Sequence, residues 1–396
     1  MLFSIALITL LGFSLSEIFK KLALPGLLGM LATGILLGPY VLNLISPDML
    51  HISADLREMA LIVILIRAGL SLDLRDLKKV GRPAILMSFI PASFEIGAII
   101  LLAPILLGVT RIEAAILGAV VAAVSPAVVV PRMINLIESG YGKDKAIPQL
   151  IMAGASVDDI YVIILFTSFL GMYQGAGFSP MSLFKVPLSV ILGLAFGIFL
   201  GFLMQKFFRI FHMRDTVKVL LILSISFLLV TLEAIAKPYV PFSALLAVMA
   251  LSGTIREHYE ILANRLMGKF GKIWVAAEIL LFVLVGAEVD IGTIRTAGLA
   301  SILLIVSALA FRMLGVNICL IKSRLNLKER LFCSVAYLPK ATVQAAIGSI
   351  PLAAGVAAGD TILAVAVMAI IISAPIGAIG VDKLYMKLLA PPESKA

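Results

Sequence analysis

Asp158 and Asp159 stand side by side in the apolar run 146–172, which has no other charged residue. A carboxylate at membrane depth is expensive to keep, and charged side chains so placed mark ion or proton pathways. Consecutive helical residues point about 100° apart, so one aspartate can pair with a basic residue while the other faces a cavity. Hard cations take oxygen ligands, namely carboxylate, hydroxyl, backbone carbonyl and water. Asp159, with Asp158, Ser125, Ser156 and Thr342, is expected to supply that set. A carboxylate that accepts either a proton or a monovalent cation makes the two compete, which is the minimal chemistry of exchange.

Three further charges lie deep in apolar runs: Glu95, Arg312 near the middle of its run, and Lys340. With the two aspartates they leave the inferred core with one net negative charge, which one cation or one proton would balance. Two of the apolar runs also carry prolines, in Ser125-Pro126-Ala127-Val128-Val129-Val130-Pro131-Arg132 and in Tyr337-Leu338-Pro339-Lys340-Ala341-Thr342. Proline removes a backbone donor and clashes with the preceding turn, so Pro126, Pro131 and Pro339 are expected to interrupt their helices. Lys340 would compensate charge at the second interruption. Freed backbone groups at membrane depth are tolerated only inside protein or beside a watery cavity.

The elements that must hold these residues follow from composition. The 396 residues are 61% hydrophobic and 14% charged, with a mean hydropathy of +1.13. Soluble domains are about 45–50% apolar and about 25% charged, so a soluble enzyme or secreted domain is excluded. Disorder is excluded because it needs low hydrophobicity and high charge. The continuous apolar runs exclude a barrel, whose strands alternate. Cys319 and Cys333 cannot make a disulfide framework or a zinc cage.

Spans of about 20 apolar residues can be placed near 2–19, 24–45, 58–73, 83–108, 112–136, 146–172, 183–205, 217–236, 239–255, 271–289, 297–321, 331–353 and 359–381, which makes 13 transmembrane helices. The first has no basic flank and no clear cleavage site, and is expected to be retained. Of the 32 Lys and Arg residues, 23 fall in one set of alternate loops and the C-terminal tail, and 5 in the opposite set. The positive-inside rule then puts the N-terminus outside and the C-terminus in the cytoplasm of a multi-pass protein of the cell (inner) membrane. Topology accounts for the net charge of +9, and nucleic acid is not an expected partner.

Seven spans separate the two proline-broken helices, and an odd offset inverts the second copy. Spans 4, 5 and 6 then match spans 11, 12 and 13, so Glu95 and Arg312 lie on related helices. Broken helices at matching positions of inverted halves point to a transporter's central site. The expectation is an all-α polytopic membrane protein, a single transporter unit over 1–396, with inverted repeats and two broken crossing helices.

Several blocks carry a resemblance. Ser125-Pro126-Ala127-Val128-Val129-Val130-Pro131, Gly140-Tyr141-Gly142, the Asp158-Asp159 pair, Phe282-Val283-Leu284-Val285-Gly286-Ala287 and Pro339-Lys340-Ala341-Thr342-Val343-Gln344-Ala345-Ala346-Ile347-Gly348 resemble the NHA-type sodium/proton antiporters of the cation:proton antiporter-2 family. The likeness implies the NhaA/NapA-like antiporter fold and elevator-type alternating access. It implies a homodimer in membrane lipid, with a moving core of about 83–172 and 297–381 and a dimerisation domain of about 1–73 and 183–289. Spans 1, 2 and 8 would lie on the dimer side. It also implies Asp159 as main ligand and proton carrier, Asp158 as its partner, and a Glu95–Arg312 ion pair. Sodium or lithium and protons would be cargo, with no cofactor and no enzymatic reaction. The chain departs from better-known two-aspartate bacterial antiporters, which carry lysine where Arg312 stands. Ser125 also stands where many relatives have Thr-Asp.

A second reading is potassium/proton exchange or potassium efflux on the same scaffold. An intramembrane aspartyl protease needs two aspartates facing each other from separate helices, which adjacent residues on one helix cannot provide.

Overall fold

In the computed structural model, residues 1–22, 24–71, 81–174, 180–236 and 242–391 are described, and every regular element among them is a helix. Eight of these helices are long and apolar enough to cross a membrane: Leu2–Lys21, Arg82–Leu107, Ile147–Tyr173, Ile191–Ile210, Asp215–Ala236, Glu260–Ala287, Gly298–Cys319 and Gly359–Leu388. The chain is thus an all-helical polytopic membrane protein. The other expected spans correspond to helices that are shorter, charged or interrupted. Ser53–Ser71, for example, carries Asp55, Arg57, Glu58 and Arg67.

Local chemistry explains where helix ends differ from expectation. The second span stops at Leu37 instead of running to 45. Gly38 precedes Pro39, and a residue before proline is pushed out of the helical region; Gly38 is extended, with ψ 172°. The fourth span is divided into Arg82–Met87 and Ile90–Leu107, because Pro91 cannot donate back to Met87. The tenth starts at Glu260, earlier than the expected 271. Arg265, Lys269 and Lys272 are good helix formers and extend the helix through what their charge suggested was a loop.

The chain divides into two compact units: Met1–Ile52, Arg75–Leu170 and Phe282–Ala396 form one, and Ser53–Leu74 with Gly171–Leu281 the other. In the first unit, Gly26–Leu37 lies against Leu2–Lys21 and against the end of Glu260–Ala287. A Cβ at Gly29 would strike the Leu15 backbone, and one at Gly34 the Val283 carbonyl. Gly26 and Gly38 likewise face Ser16 and Ala287. This glycine stripe is therefore used for close packing within the chain, and is not a free face.

In the second unit, Gly193, Gly197 and Gly201 repeat every four residues on one helix face. They let the helix Pro180–Ile210 approach Ser243, Ala247 and Thr254 of its neighbour. Arg67 lies 5.6 Å over the Trp274 ring, a cation–π contact that gives a partner to a charge on an apolar helix.

Candidate functional site

The site is built in the first unit, where two helices are interrupted against each other. Arg111–Ala122 ends, Ala123 is extended (φ −62°, ψ 140°), and Pro126 opens the helix Pro126–Ser139. Pro131, expected to interrupt its helix, lies inside Pro126–Ser139 instead: it removes one donor, that to Ala127 in the first turn, and the helix continues past it. Leu327–Ala336 ends at Tyr337 (φ −92°, ψ 4°), and a helix resumes at Thr342–Ile347. Pro339 falls between them, with its ring in a notch over Gly377.

The interruptions bond directly to each other. The Ser125 N–H donates to the Pro339 carbonyl at 2.8 Å, and the Ser125 and Thr342 hydroxyls lie 3.4 Å apart. The Lys340 N–H donates to Ser373 Oγ at 3.0 Å.

Four charges close a cluster around these backbones. Glu95, Asp158, Arg312 and Lys340 are each fully buried. Arg312 Nη1 donates to Glu95 Oε2 at 2.8 Å and Nη2 to Asp158 Oδ2 at 2.9 Å. Lys340 Nζ donates to the same Glu95 oxygen at 2.6 Å. Both cations also donate to the Ala122 carbonyl, which the first interruption frees. Asp158 Oδ2 accepts a second bond, from the Val124 N–H at 2.9 Å. A buried ion must be paired and hydrogen-bonded, and here two carboxylates meet two cations.

Asp159 stands apart. It is 6% exposed, its Oδ1 is buried with no hydrogen-bond partner, and no cation among the described residues pairs with it. One helix step separates it from Asp158, yet that step turns it out of the cluster. The charge deficit read from the sequence thus falls on one residue. The Ser156 side chain, named above as a candidate ligand, lies outside the described residues. Among those residues, no group of three or more His, Cys, Asp or Glu could hold a metal. A cation at Asp159 would need hydroxyls, backbone carbonyls and water to complete its shell.

Three residues that sequence reasoning left without a role complete the cluster. The Tyr337 carbonyl accepts from Arg312 Nε at 2.7 Å, and the Tyr337 ring lies 5.5 Å from the guanidinium. Its hydroxyl fills the space that a side chain at Gly154 would take. Gln344 bonds to backbone at both interruptions, and Ser373 takes the Lys340 N–H. Their only visible signal was a polar atom inside an apolar run.

Two capping boxes, by contrast, were legible as spacing. Thr110 with Glu113 opens the first broken helix and Asn326 with Glu329 the second. Glu113 also accepts from the Ala358 N–H at 3.1 Å, and Glu329 from Lys145 at 2.8 Å.

Residues 4–387 match the family described as "Sodium/hydrogen exchanger, transmembrane". Sodium/hydrogen exchanger 9B2 of Mus musculus is 37% identical over 388 residues, covering 94% of this chain and 70% of that protein. Sodium/hydrogen exchanger 9B1 of Homo sapiens is 33% identical over 386 residues, 92% of this chain and 73% of that protein. The sodium proton antiporter MjNhaP1 from Methanocaldococcus jannaschii at pH 8 shares the fold, with a TM-score of 0.80 over 96% of this chain and 97% of that one, at 20% identity. With a family match over nearly its whole length and relatives well above 30% identity, the chain belongs to the transmembrane sodium/hydrogen exchanger family.

Proposed function

We propose that this protein is a secondary active antiporter that exchanges sodium, or lithium, for protons, with cation and proton taking turns on Asp159. The observation that carries this reading is the contrast between two neighbouring carboxylates. Asp158 is bound by Arg312 and Val124, whereas Asp159 Oδ1 has no hydrogen-bond partner among the described residues. A buried carboxylate whose neighbours already balance one another is stable with one positive charge added, and either a proton or a sodium ion supplies it. Since both need the same oxygens, loading one expels the other. Asp158, Ser125, Ser156 and Thr342 are proposed as nearby ligands. The sodium/hydrogen exchanger match favours sodium over the potassium reading.

The wider architecture belongs to the same proposal. It comprises 13 spans in inverted repeats, two broken crossing helices, and a core that carries the site from one side to the other. It also has a homodimer, an outer N-terminus and a cytoplasmic C-terminus. The subfamily is proposed as NHA-type, from the motif blocks quoted above. Arg312 bears on stoichiometry: arginine stays protonated in proteins, so only Asp159 cycles its proton and exchange is one for one.

The test is purified protein in liposomes with imposed sodium, lithium or potassium gradients, reading internal pH. Sodium- and lithium-driven proton movement, lost in Asp159→Asn, is expected. Flux driven by potassium alone would replace sodium with the potassium reading.

A further inference from the structure

Gln344 is fully buried on the short helix Thr342–Ile347, and its amide spans both interruptions. Its Oε1 accepts from the Ala341 N–H at 2.8 Å. Its Nε2 donates to the Val121 carbonyl at 2.9 Å and to the Ala123 carbonyl at 2.8 Å. The Ala122 carbonyl, which lies between those two in the chain, takes Arg312 and Lys340, and the Val124 N–H takes Asp158. The polar groups of the first interruption are thus divided between two sets of partners, a neutral amide and the charged cluster.

We propose that Gln344 is a positioning residue for exchange. By holding the Val121 and Ala123 carbonyls it fixes the direction of the Ala122 carbonyl and the Val124 amide, and through them the places of Arg312 and Asp158 beside Asp159. The inference rests on the exchange reading above and adds a residue to it. An amide suits this task because it offers two donors and one acceptor and adds no charge to a cluster already balanced. Without its donors, two buried carbonyls lose their partners. Buried polar groups seldom stay unpaired, so these carbonyls would draw on Arg312 and Lys340, which bind the carbonyl between them. Glu95 and Asp158 would then be less fully neutralised, and the competition at Asp159 would move.

The test compares wild type, Gln344→Met and Gln344→Glu in liposomes, with hydrogen–deuterium exchange over residues 121–125. Methionine keeps the length and removes every hydrogen bond. It should speed exchange over 121–125 and shift the sodium concentration for half-maximal flux about tenfold, as expected for lost buried hydrogen bonds. A protonated glutamic acid can still donate one bond, and an ionised one cannot. Gln344→Glu should therefore approach wild-type flux at acid pH and fall away more steeply than wild type as pH rises. Wild-type sodium dependence and pH profile in both variants would overturn the positioning role, as would unchanged exchange over 121–125. Loss of the whole core in Gln344→Met, with no acid rescue in Gln344→Glu, would make the glutamine merely structural and also overturn it. No sodium-driven flux in the wild type would instead overturn the exchange reading itself.

Discussion

The hydroxyls of Ser125 and Thr342 lie 3.4 Å apart and are separated by 217 residues, the same separation that divides the paired Glu95 and Arg312. When two halves of a chain face each other across a pseudo-two-fold axis, equivalent residues meet only near that axis. Two such pairs with one offset are what an inverted repeat of 217 residues would produce. The Thr110–Glu113 and Asn326–Glu329 capping boxes fall one residue short of the same offset. In such a repeat Glu95 and Arg312 would be equivalent positions of opposite charge, and they pair at 2.8 Å.

Asp159→Asn should abolish sodium-dependent proton flux and leave folding intact. The substitution keeps the shape, removes the titration, and breaks no hydrogen bond among the described residues. Asp158→Asn should instead lower thermal stability, because it removes the charge opposite Arg312. Flux assays and detergent melting on the two variants separate these roles; wild-type-like flux in Asp159→Asn would sink the assignment.

Glu95→Ala and Arg312→Ala should each destabilise the protein. Removing one member of a buried ion pair costs about 3–5 kcal/mol. The double change should cost less than the sum, since each single change already breaks the shared contact. Glu95→Ala should also exceed Lys340→Ala, because Glu95 Oε2 serves both cations. Strictly additive losses in detergent melting would mean that Glu95 and Arg312 do not interact.

Exchange should be electroneutral. Arg312 keeps its proton, and Lys340 Nζ is held by Glu95 and the Ala122 carbonyl, with no hydrogen bond to either aspartate among the described residues. With sodium and pH balanced, a potassium/valinomycin potential imposed on liposomes should drive no sodium accumulation. Accumulation under voltage alone would show that a second group titrates.

Gly34→Ala should destabilise by about 1–3 kcal/mol, the usual cost of forcing an extra carbon into a packed interior, because its methyl group would strike the Val283 carbonyl. Gly97→Ala meets nothing within 4 Å, and should be neutral or stabilising by up to about 1 kcal/mol, the helix preference of alanine over glycine. Melting temperatures of the two variants check the contrast.

Protomers should cross-link through the first span. Leu10 and Phe13 are exposed on the helix Leu2–Lys21, a surface available to a second copy or to lipid. Single cysteines there, in a background lacking Cys319 and Cys333, should give covalent dimers in membranes. Cross-links at Asp159's helix, but never at the first, second or eighth spans, would contradict the proposed dimer side.

Much of this protein is determined by its residues in order. An apolar fraction of 61% needs lipid, and lipid forces helices, because no water is present to satisfy the backbone. Pro126 and Pro339 fall at the interruptions, where a missing donor favours a break, although Pro131 is carried within its helix; Thr110-x-x-Glu113 announces a helix start by spacing alone. That five ionisable residues in apolar runs must find partners is likewise a one-dimensional statement, as is their sum of one negative charge.

Which carboxylate carries that charge is not. Asp158 and Asp159 are the same chemical group one residue apart, and only the turn of the helix gives Arg312 and the Val124 amide to one and leaves Oδ1 of the other without a hydrogen-bond partner among the described residues. Lys340 could have faced Asp158; the packing of the two interruptions put it on Glu95 and the Ala122 carbonyl. Gly29, Gly34 and Gly38 of the second span recur along one apolar run, but only the fold decides that the surface they meet is this chain's own backbone. Hydrogen bonds reach a few ångströms, and these partners lie about 200 residues apart in sequence, so only the folded chain brings them within range.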